Sequence, residues 1–432
     1  MTLGVRAGNA EATAKERDQF IPARKSDILN ALAGGQFRSD GEREKFNQVC
    51  RLLAAIYHYE YFDRLERLRD AYFYFNPELE THARIERAAL DRAYADLVEL
   101  LTAVLKGANF VELTHAEIAQ AHRQRALIRV AIKAPLEDFR DVRIFRRGRH
   151  SETVDVTRWF HPRKRTVEAE IYDDVVLLVA MKADGDLAGQ QRDRWRAAKH
   201  RIRPGSVLLK YFRNIARSDV NALFPNVRVV MSTFDKLVLG VPALAGGLPI
   251  LFNLASSVTV LFLVIGFYLG ISGAVQDDHV KQALAAMSGL VALGGFIMRQ
   301  WVKYQRQSLR YQKELTDNIY FRNINNNAGI FDYVIGAAEE QECKETFLAY
   351  YFLHTVGATT QDALDARIEA WLKEALGLDM DFEVEDALAK LERLGLLTRD
   401  GERLSVPPLD EALVILDRAW DGYFRYEAAA AN

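Results

Sequence analysis

Forty consecutive residues without a charge, Leu237 to Gln276, constrain this 432-residue chain more than any other feature. The centre of the run, Ile250 to Ile271, is long enough at 1.5 Å per residue to cross roughly 30 Å of hydrocarbon. Soluble helices of that length normally carry a polar face, so the run predicts a membrane span over about 250–271. A second uncharged stretch, Gln282–Met298, is richer in Ala and Gly and predicts a span over about 282–300. The connection between them carries Asp277 and Asp278 against Lys281, whereas Arg299, Lys303, Arg306, Arg310 and Lys313 follow the second stretch. Arg217, Arg228 and Lys236 precede the first. The positive-inside rule then predicts a two-helix transmembrane hairpin at 237–300 with both termini cytoplasmic.

Small residues four apart, Gly266/Gly270 and Ala285/Gly289, would let helix backbones approach closely, within the hairpin or in a homo-oligomer. Neither stretch contains an ionisable residue, which argues against an ion or proton pathway. The N-terminus has no apolar core, and Glu11, Glu16, Asp18 and Asp27 lie among its basic residues. A cleaved targeting peptide is therefore not expected. A mean hydropathy of −0.13 conceals all of this by averaging apolar stretches with polar flanks. Two cysteines, Cys50 and Cys343, exclude a disulfide-dense scaffold and a Cys-rich zinc module.

Outside the apolar region the pattern predicts an α+β membrane protein. Residues 1–40 read as loosely structured. Residues 41–125 read as a helical hairpin region, broken at Asn76-Pro77, with Thr114 and Glu117 spaced as a capping box. From 126 to 236 the apolar period shortens to two, and short strands predict a small mixed α+β domain. Residues 301–340 read as a membrane-proximal helix and an Asn-rich break. Residues 341–432 show helix, helix, helix and a hairpin around Asp400-Gly401, the order of a winged-helix-like module.

Several segments resemble one family. They are Lys210-Tyr-Phe-Arg-Asn-Ile-Ala-Arg-Ser-Asp219, Leu223-Phe-Pro225-Asn226, Asp235-Lys236-Leu237 and Gly240-Val-Pro242-Ala243. Past the apolar region come Asn318-Ile-Tyr320-Phe321, Asn325-Asn326-Asn327-Ala-Gly329 and Ala338-Glu339-Glu-Gln-Glu342-Cys-Lys344-Glu345. Together with Phe212 and Asp219 these are similar to the transmembrane protein 143-like proteins, a family of unknown function. The resemblance implies two membrane helices, a mitochondrial setting in eukaryotic members, and no activity to carry over. With no transit peptide expected, a bacterial inner membrane is the preferred setting here.

Charge is unevenly placed. Arg140–Arg165 holds nine Lys/Arg against three acids, and Arg192–Arg203 six against Asp193. Arg143, Arg146, Arg147, Arg163, Lys164, Arg165, Arg192, Arg194, Arg196 and Arg201 are therefore candidates for contact with anionic lipid headgroups. Asp332–Asn432 holds twenty-two Asp/Glu against nine Lys/Arg, a surface that repels nucleic acid and suits a protein partner instead. Asp173-Asp174 read either as a paired-carboxylate site or as strand-end solvation. Glu339 and Cys343, i and i+4, read either as a partial metal site or as a solvated acidic face, with no histidine at ligand spacing to complete the former. No metal or cofactor is expected. No phosphate loop, nucleophile elbow, HExxH or CxxC pattern occurs. The composite expectation is a non-enzymatic interaction or scaffold protein at a membrane. An enzyme acting on a lipid or another membrane-proximal substrate through acidic residues of these motif segments, Asp219 or Asp235, is the alternative.

Overall fold

Alternating apolar and polar residues from Phe139 to Met181 fold into two long antiparallel strands, β3 (Phe139–Arg158) and β4 (His161–Met181). The computed structural model describes residues 18–35, 37–79, 86–114, 116–118, 131–133, 139–158, 161–186, 203–225, 228–230, 262–267, 269–270 and 276–423. In the β3–β4 register Phe145 lies opposite Val176, and Ile144 opposite Leu177. The first pair belongs to one hydrophobic core and the second to another, so the sheet is covered on both faces. β1 (Val111–Glu112) borders β3, β2 (Ala131–Lys133) pairs separately with β6 (Arg228–Val230), and β5 (Val207–Ala216) borders β4. The fifth strand of the sheet, β7 (Asn323–Asn326), comes from beyond the apolar region and pairs with β5. The order is β1-β3-β4-β5-β7, all antiparallel.

Helices form the layer on one face. α1 (Lys25–Ala33), α2 (Asp40–Phe73) and α3 (Arg87–Gly107) precede the sheet, and α4 (Asp277–Tyr320) leads into β7. Next come α5 (Gly329–Val356), α6 (Gln361–Leu376) and α7 (Val384–Arg393). A hairpin of β8 (Thr398–Asp400) and β9 (Arg403–Ser405) and a last helix, α8 (Leu409–Gly422), end the described chain. The larger core joins α1–α3 and α5–α8 to Phe145, Val176, Leu178, Leu209 and Tyr211 of the sheet. A smaller core lies on the other face, where a 3-10 turn at Arg217–Leu223 places Val220 and Leu223 over Ile144, Val175 and Leu177, with Ile319 of α4 at its margin.

Start and stop signals act as their chemistry dictates. Ser39 accepts a hydrogen bond from the Glu42 amide to open α2. Thr114 and Glu117 form the reciprocal capping box that their spacing predicts. The Asn-rich break supplies β7 and then Asn327, which takes a left-handed φ of 51°. Its side chain accepts from Tyr72 Oη and donates to Glu78 Oε1 at 2.5 Å.

Three expectations need correction. The two-helix hairpin is not found, nor, with it, the two-span arrangement with both termini cytoplasmic. Among the described residues one helical segment, Asp277–Lys303, is long and apolar enough to cross a bilayer. Of the first expected span, residues 250–261 lie outside the described residues, and 262–267 form only a short helix. That helix ends in a turn with φ +75° at Gly270, so Gly266 and Gly270 do not share a helical face. Secondly, the boundary expected at 300/301 falls within the continuous helix α4, because the polar residues after Met298 keep helical spacing. Thirdly, the boundary expected at 340/341 falls inside α5, where Glu345 is buried, Glu339, Glu340 and Glu342 are half-buried and Asp332 is exposed.

Candidate functional site

The apolar half of α4 is the most anomalous surface of the molecule. Val280, Leu284, Met287, Val291, Ile297, Met298 and Trp301 are all exposed, Val291 at 72%. Covering each such side chain is worth roughly 1.5–3 kcal/mol. Ala285 is exposed and Gly289 half-buried on the same helix. Phe262, Leu263, Ile265, Phe267 and Leu269, just upstream, are exposed as well. At the far end of α4, Tyr320 and Phe321 stand 72% and 81% exposed beside the sheet. The whole insert leaves the sheet after β5 and the 3-10 turn and returns to it at β7, alongside β5.

The basic residues of the sheet behave differently from free headgroup ligands. Arg147 is buried, and its guanidinium donates to Asp174 Oδ2 at 2.6 and 3.0 Å. It also stacks over Phe20 (3.9 Å to the ring centre) and Phe110 (4.6 Å). Asp174 accepts a second guanidinium, Arg213 Nε, at 3.2 Å. Neither Asp174 nor its neighbour forms a paired-carboxylate site, since Asp173 instead meets His150 Nδ1 at 2.6 Å. Arg143 bridges Glu112 and Asp141, and Arg146 lies over the Tyr172 ring at 5.7 Å. Hydrogen bonds from Tyr94 and Arg143 and the Arg143 charge outweigh burial and hold Asp141 below the usual carboxylate range. Arg147 is thus withdrawn from the lipid-headgroup set: it is a structural cation. The side chains of Arg163, Lys164 and Arg165 lie outside the described residues, although their backbone belongs to β4. Arg192, Arg194, Arg196 and Arg201 lie outside them altogether.

A second charged cluster sits on α5. Glu339 pairs with Lys25 and His58, on the protein surface and between elements. Glu342 accepts from Tyr61 and meets Lys390 of α7 at 2.9 Å. Glu345 is fully buried, accepting from Gln341 at 2.6 Å and from Lys390 at 2.5 Å. Burial pushes its carboxyl up to about 7, against the pull of Lys390. Burial would lower Lys390, but Glu345, Glu342 and Asp386 hold it well above its ordinary value. Lys344 points the other way and donates to the carbonyls of Ile21 and Ala23 at 2.6 and 3.2 Å. Burial lowers it to about 8. These contacts tie α2, α5, α7 and the extended segment before α1 together. Cys343 is buried and free, so Glu339 and Cys343 do not form half of a metal site. Among the described residues no group of three or more His, Cys, Asp or Glu side chains is placed to hold a metal ion.

The remaining motif residues are structural where they are described. Phe212 lies in the smaller core, Lys210 is half-buried on β5 with its pKa lowered by burial, and Asp219 is buried in the 3-10 turn, accepting from Ser218 Oγ at 3.4 Å. Asn326 and Gly329 bracket the β7–α5 turn, where Gly329 meets the Asn325 side chain through its carbonyl. Pro225 follows the turn; Asn226, Asp235, Lys236 and Pro242 lie outside the described residues.

A family model described as a protein of unknown function (DUF3754) matches residues 172–329. No solved structure matches the chain. The matched stretch runs from the middle of β4 through β5, the 3-10 turn, β6 and α4 to β7 and the first residue of α5. It therefore contains the apolar insert together with the two strands, β5 and β7, that hold its ends. The motif from Glu339 to Glu345 lies beyond it.

Sequence reasoning missed the two buried ion clusters. Arg147 and Asp174 lie 27 positions apart and meet only through the β3–β4 register. Glu345 and Lys390 lie 45 apart on different helices. No local spacing signals either pair.

Proposed function

We propose that this chain is a membrane-attached interaction or scaffold protein without catalytic activity, held to the bilayer by the apolar insert between β5 and β7. One observation carries the reading: in the apolar half of α4 the large side chains Leu284, Met287, Val291, Ile297 and Met298 stand exposed. Arg299 and Lys303 at its end, followed by Arg306, Arg310 and Lys313, suit the polar edge of a membrane rather than its interior. The resemblance to transmembrane protein 143-like proteins is one ground for this reading; the family match, to a protein of unknown function, covers the insert without bearing on it. The acidic C-terminal residues not consumed by α5 and α2, among them Asp400, Glu402 and Glu411, offer a surface to a basic protein partner.

The enzymatic alternative draws little support from the site. Asp219 lies in a packed turn and Asp235 outside the described residues. An open surface groove of about 650 Å³ between α3 and β3, lined by Tyr94, Lys106, Arg140 and Arg143, does not include Asp219.

The test is fractionation of the full chain. The wild type should sediment with membranes and resist alkaline carbonate. Leu284→Lys with Val291→Lys should move it to the carbonate-extractable or free fraction. A wild-type chain that is monodisperse in buffer without detergent overturns the proposal.

A further inference from the structure

The β3–β4 pair is longer than the sheet that supports it. β5 pairs with β4 from Ala180 back to Ile171 and no further, while β1 covers β3 only at Phe145 and Arg146. Beyond those positions β3 and β4 pair only with each other among the described residues, from Ser151↔Glu170 to Arg158↔His161. Eight residues of β3 and ten of β4 thus form a two-stranded arm, about 26 Å long at roughly 3.3 Å per residue. Two-stranded ribbons are marginal in water and need a surface to lie against.

Charge divides along this arm. At its base the carboxylates are consumed: Glu170 pairs with Arg149 at 3.2 Å and Arg217 at 2.8 Å, and Asp173 with His150. Toward its end the acids stop. From Val156 to Val167 there are Arg158, His161, Arg163, Lys164 and Arg165 and no Asp or Glu. The register sets Arg158 opposite His161 and Arg165 opposite Val156, which gathers these residues at one end. Basic residues without acidic neighbours suit anionic headgroups.

We infer that the end of the β3–β4 arm is a second membrane contact, selective for anionic lipid. This rests on the membrane attachment proposed above and assigns its lipid preference to one element. It also replaces Arg143 and Arg147, which the sheet consumes, with Arg158, Arg163, Lys164 and Arg165. The insert supplies attachment to any bilayer, whereas the arm supplies the dependence on headgroup charge.

The test is flotation of the full chain, synthesised in the presence of vesicles of phosphatidylcholine alone or with phosphatidylglycerol. Wild type should float on both, with the bound fraction rising with phosphatidylglycerol and the rise fading in salt. The variant Arg163→Glu/Lys164→Glu/Arg165→Glu should float on neutral vesicles like wild type and lose the anionic gain by about tenfold. The neutral variant Arg163→Gln/Lys164→Gln/Arg165→Gln, matched to wild type in unfolding temperature, should fall between them. Wild-type indifference to phosphatidylglycerol, or a gain that survives charge reversal, overturns the arm and leaves the insert standing. A chain that floats on neither vesicle overturns both. Retention on duplex DNA at moderate salt without any anionic-vesicle gain overturns the lipid assignment in favour of nucleic acid.

Discussion

The helices α4 and α5 invert what their charges suggest. The apolar half of α4 has no charged residue from Gln282 to Met298, yet it is exposed. α5 carries Glu342, Lys344 and Glu345 in its middle, and Lys344 and Glu345 are among the most buried side chains of the molecule. Apolar composition alone therefore does not place a helix inside a protein. α5 is inside because Ile330, Phe331, Val334, Phe347, Leu348 and Tyr350 meet helices on several sides, and each buried charge has a built partner. In the uncharged half of α4, among the described residues, most large side chains stay exposed, and the bilayer proposed above is a medium that its length fits.

The largest expected effect breaks the α5 side of this comparison. Lys390→Met leaves Glu345 buried without its cation, and removal of one partner from a buried pair costs about 3–5 kcal/mol. Denaturant unfolding should show this loss, and the double variant Lys390→Met/Glu345→Gln should recover part of it. An unchanged midpoint for Lys390→Met would mean that Glu345 does not depend on the pair. Val291→Lys in α4 should change unfolding of the body by less than about 0.5 kcal/mol, while reducing the membrane-bound fraction. Equal losses from both substitutions would erase the difference between the helices.

The contrast also explains which parts were legible in the sequence. Features written in neighbouring residues were readable: the change from helical to alternating periodicity, the Thr114/Glu117 capping box and the turn around Gly401, which has φ +59°. The exposed α4 stretch was readable as apolar, but the paired span upstream was not found as a second long helix. The interior position of α5 was hidden because a dense run of Glu residues resembles a solvated face. Its partners, Lys390 for Glu345 and the Ile21 carbonyl for Lys344, come from distant segments. The same holds for Arg147, which reads as one more surface arginine until the β3–β4 register sets it opposite Asp174. Candidate site residues chosen by charge density alone thus mixed structural cations with those of the arm.

A smaller effect concerns protons. The Glu345 carboxyl is raised from 4.5 to about 7 in the folded chain, so the folded state holds a proton that the unfolded state has released across that window. Its contribution to stability is full below about pH 4.5 and falls as pH rises through about 7. Glu345→Gln removes this dependence. The difference in unfolding free energy between variant and wild type should move in the variant's favour as pH rises from 4.5 to 7 and level off above. Carboxylates such as Asp141, whose pKa is lowered, act with the opposite sign, which is why the difference curve and not the wild-type curve is diagnostic. A flat difference would place Glu345 in a wetter setting than its burial implies.

The smallest effect compares helix starts. Ser39 opens α2, a helix built into the larger core, and its hydroxyl accepts from the Glu42 amide. Gln276 opens α4, and its side chain makes no capping hydrogen bond. Ser39→Ala should cost about 1 kcal/mol, the usual worth of such a cap, and the loss should appear in global unfolding because α2 cannot fray without exposing Phe46 and Val49. Gln276→Ala removes no cap and lies at the start of a segment whose large side chains are mostly exposed, so global unfolding should not register it. If Gln276→Ala destabilised the body as much as Ser39→Ala, the start of α4 would be coupled to the core after all. The separation drawn between a helix held by protein and a helix held by a membrane would then fail at its outer end first.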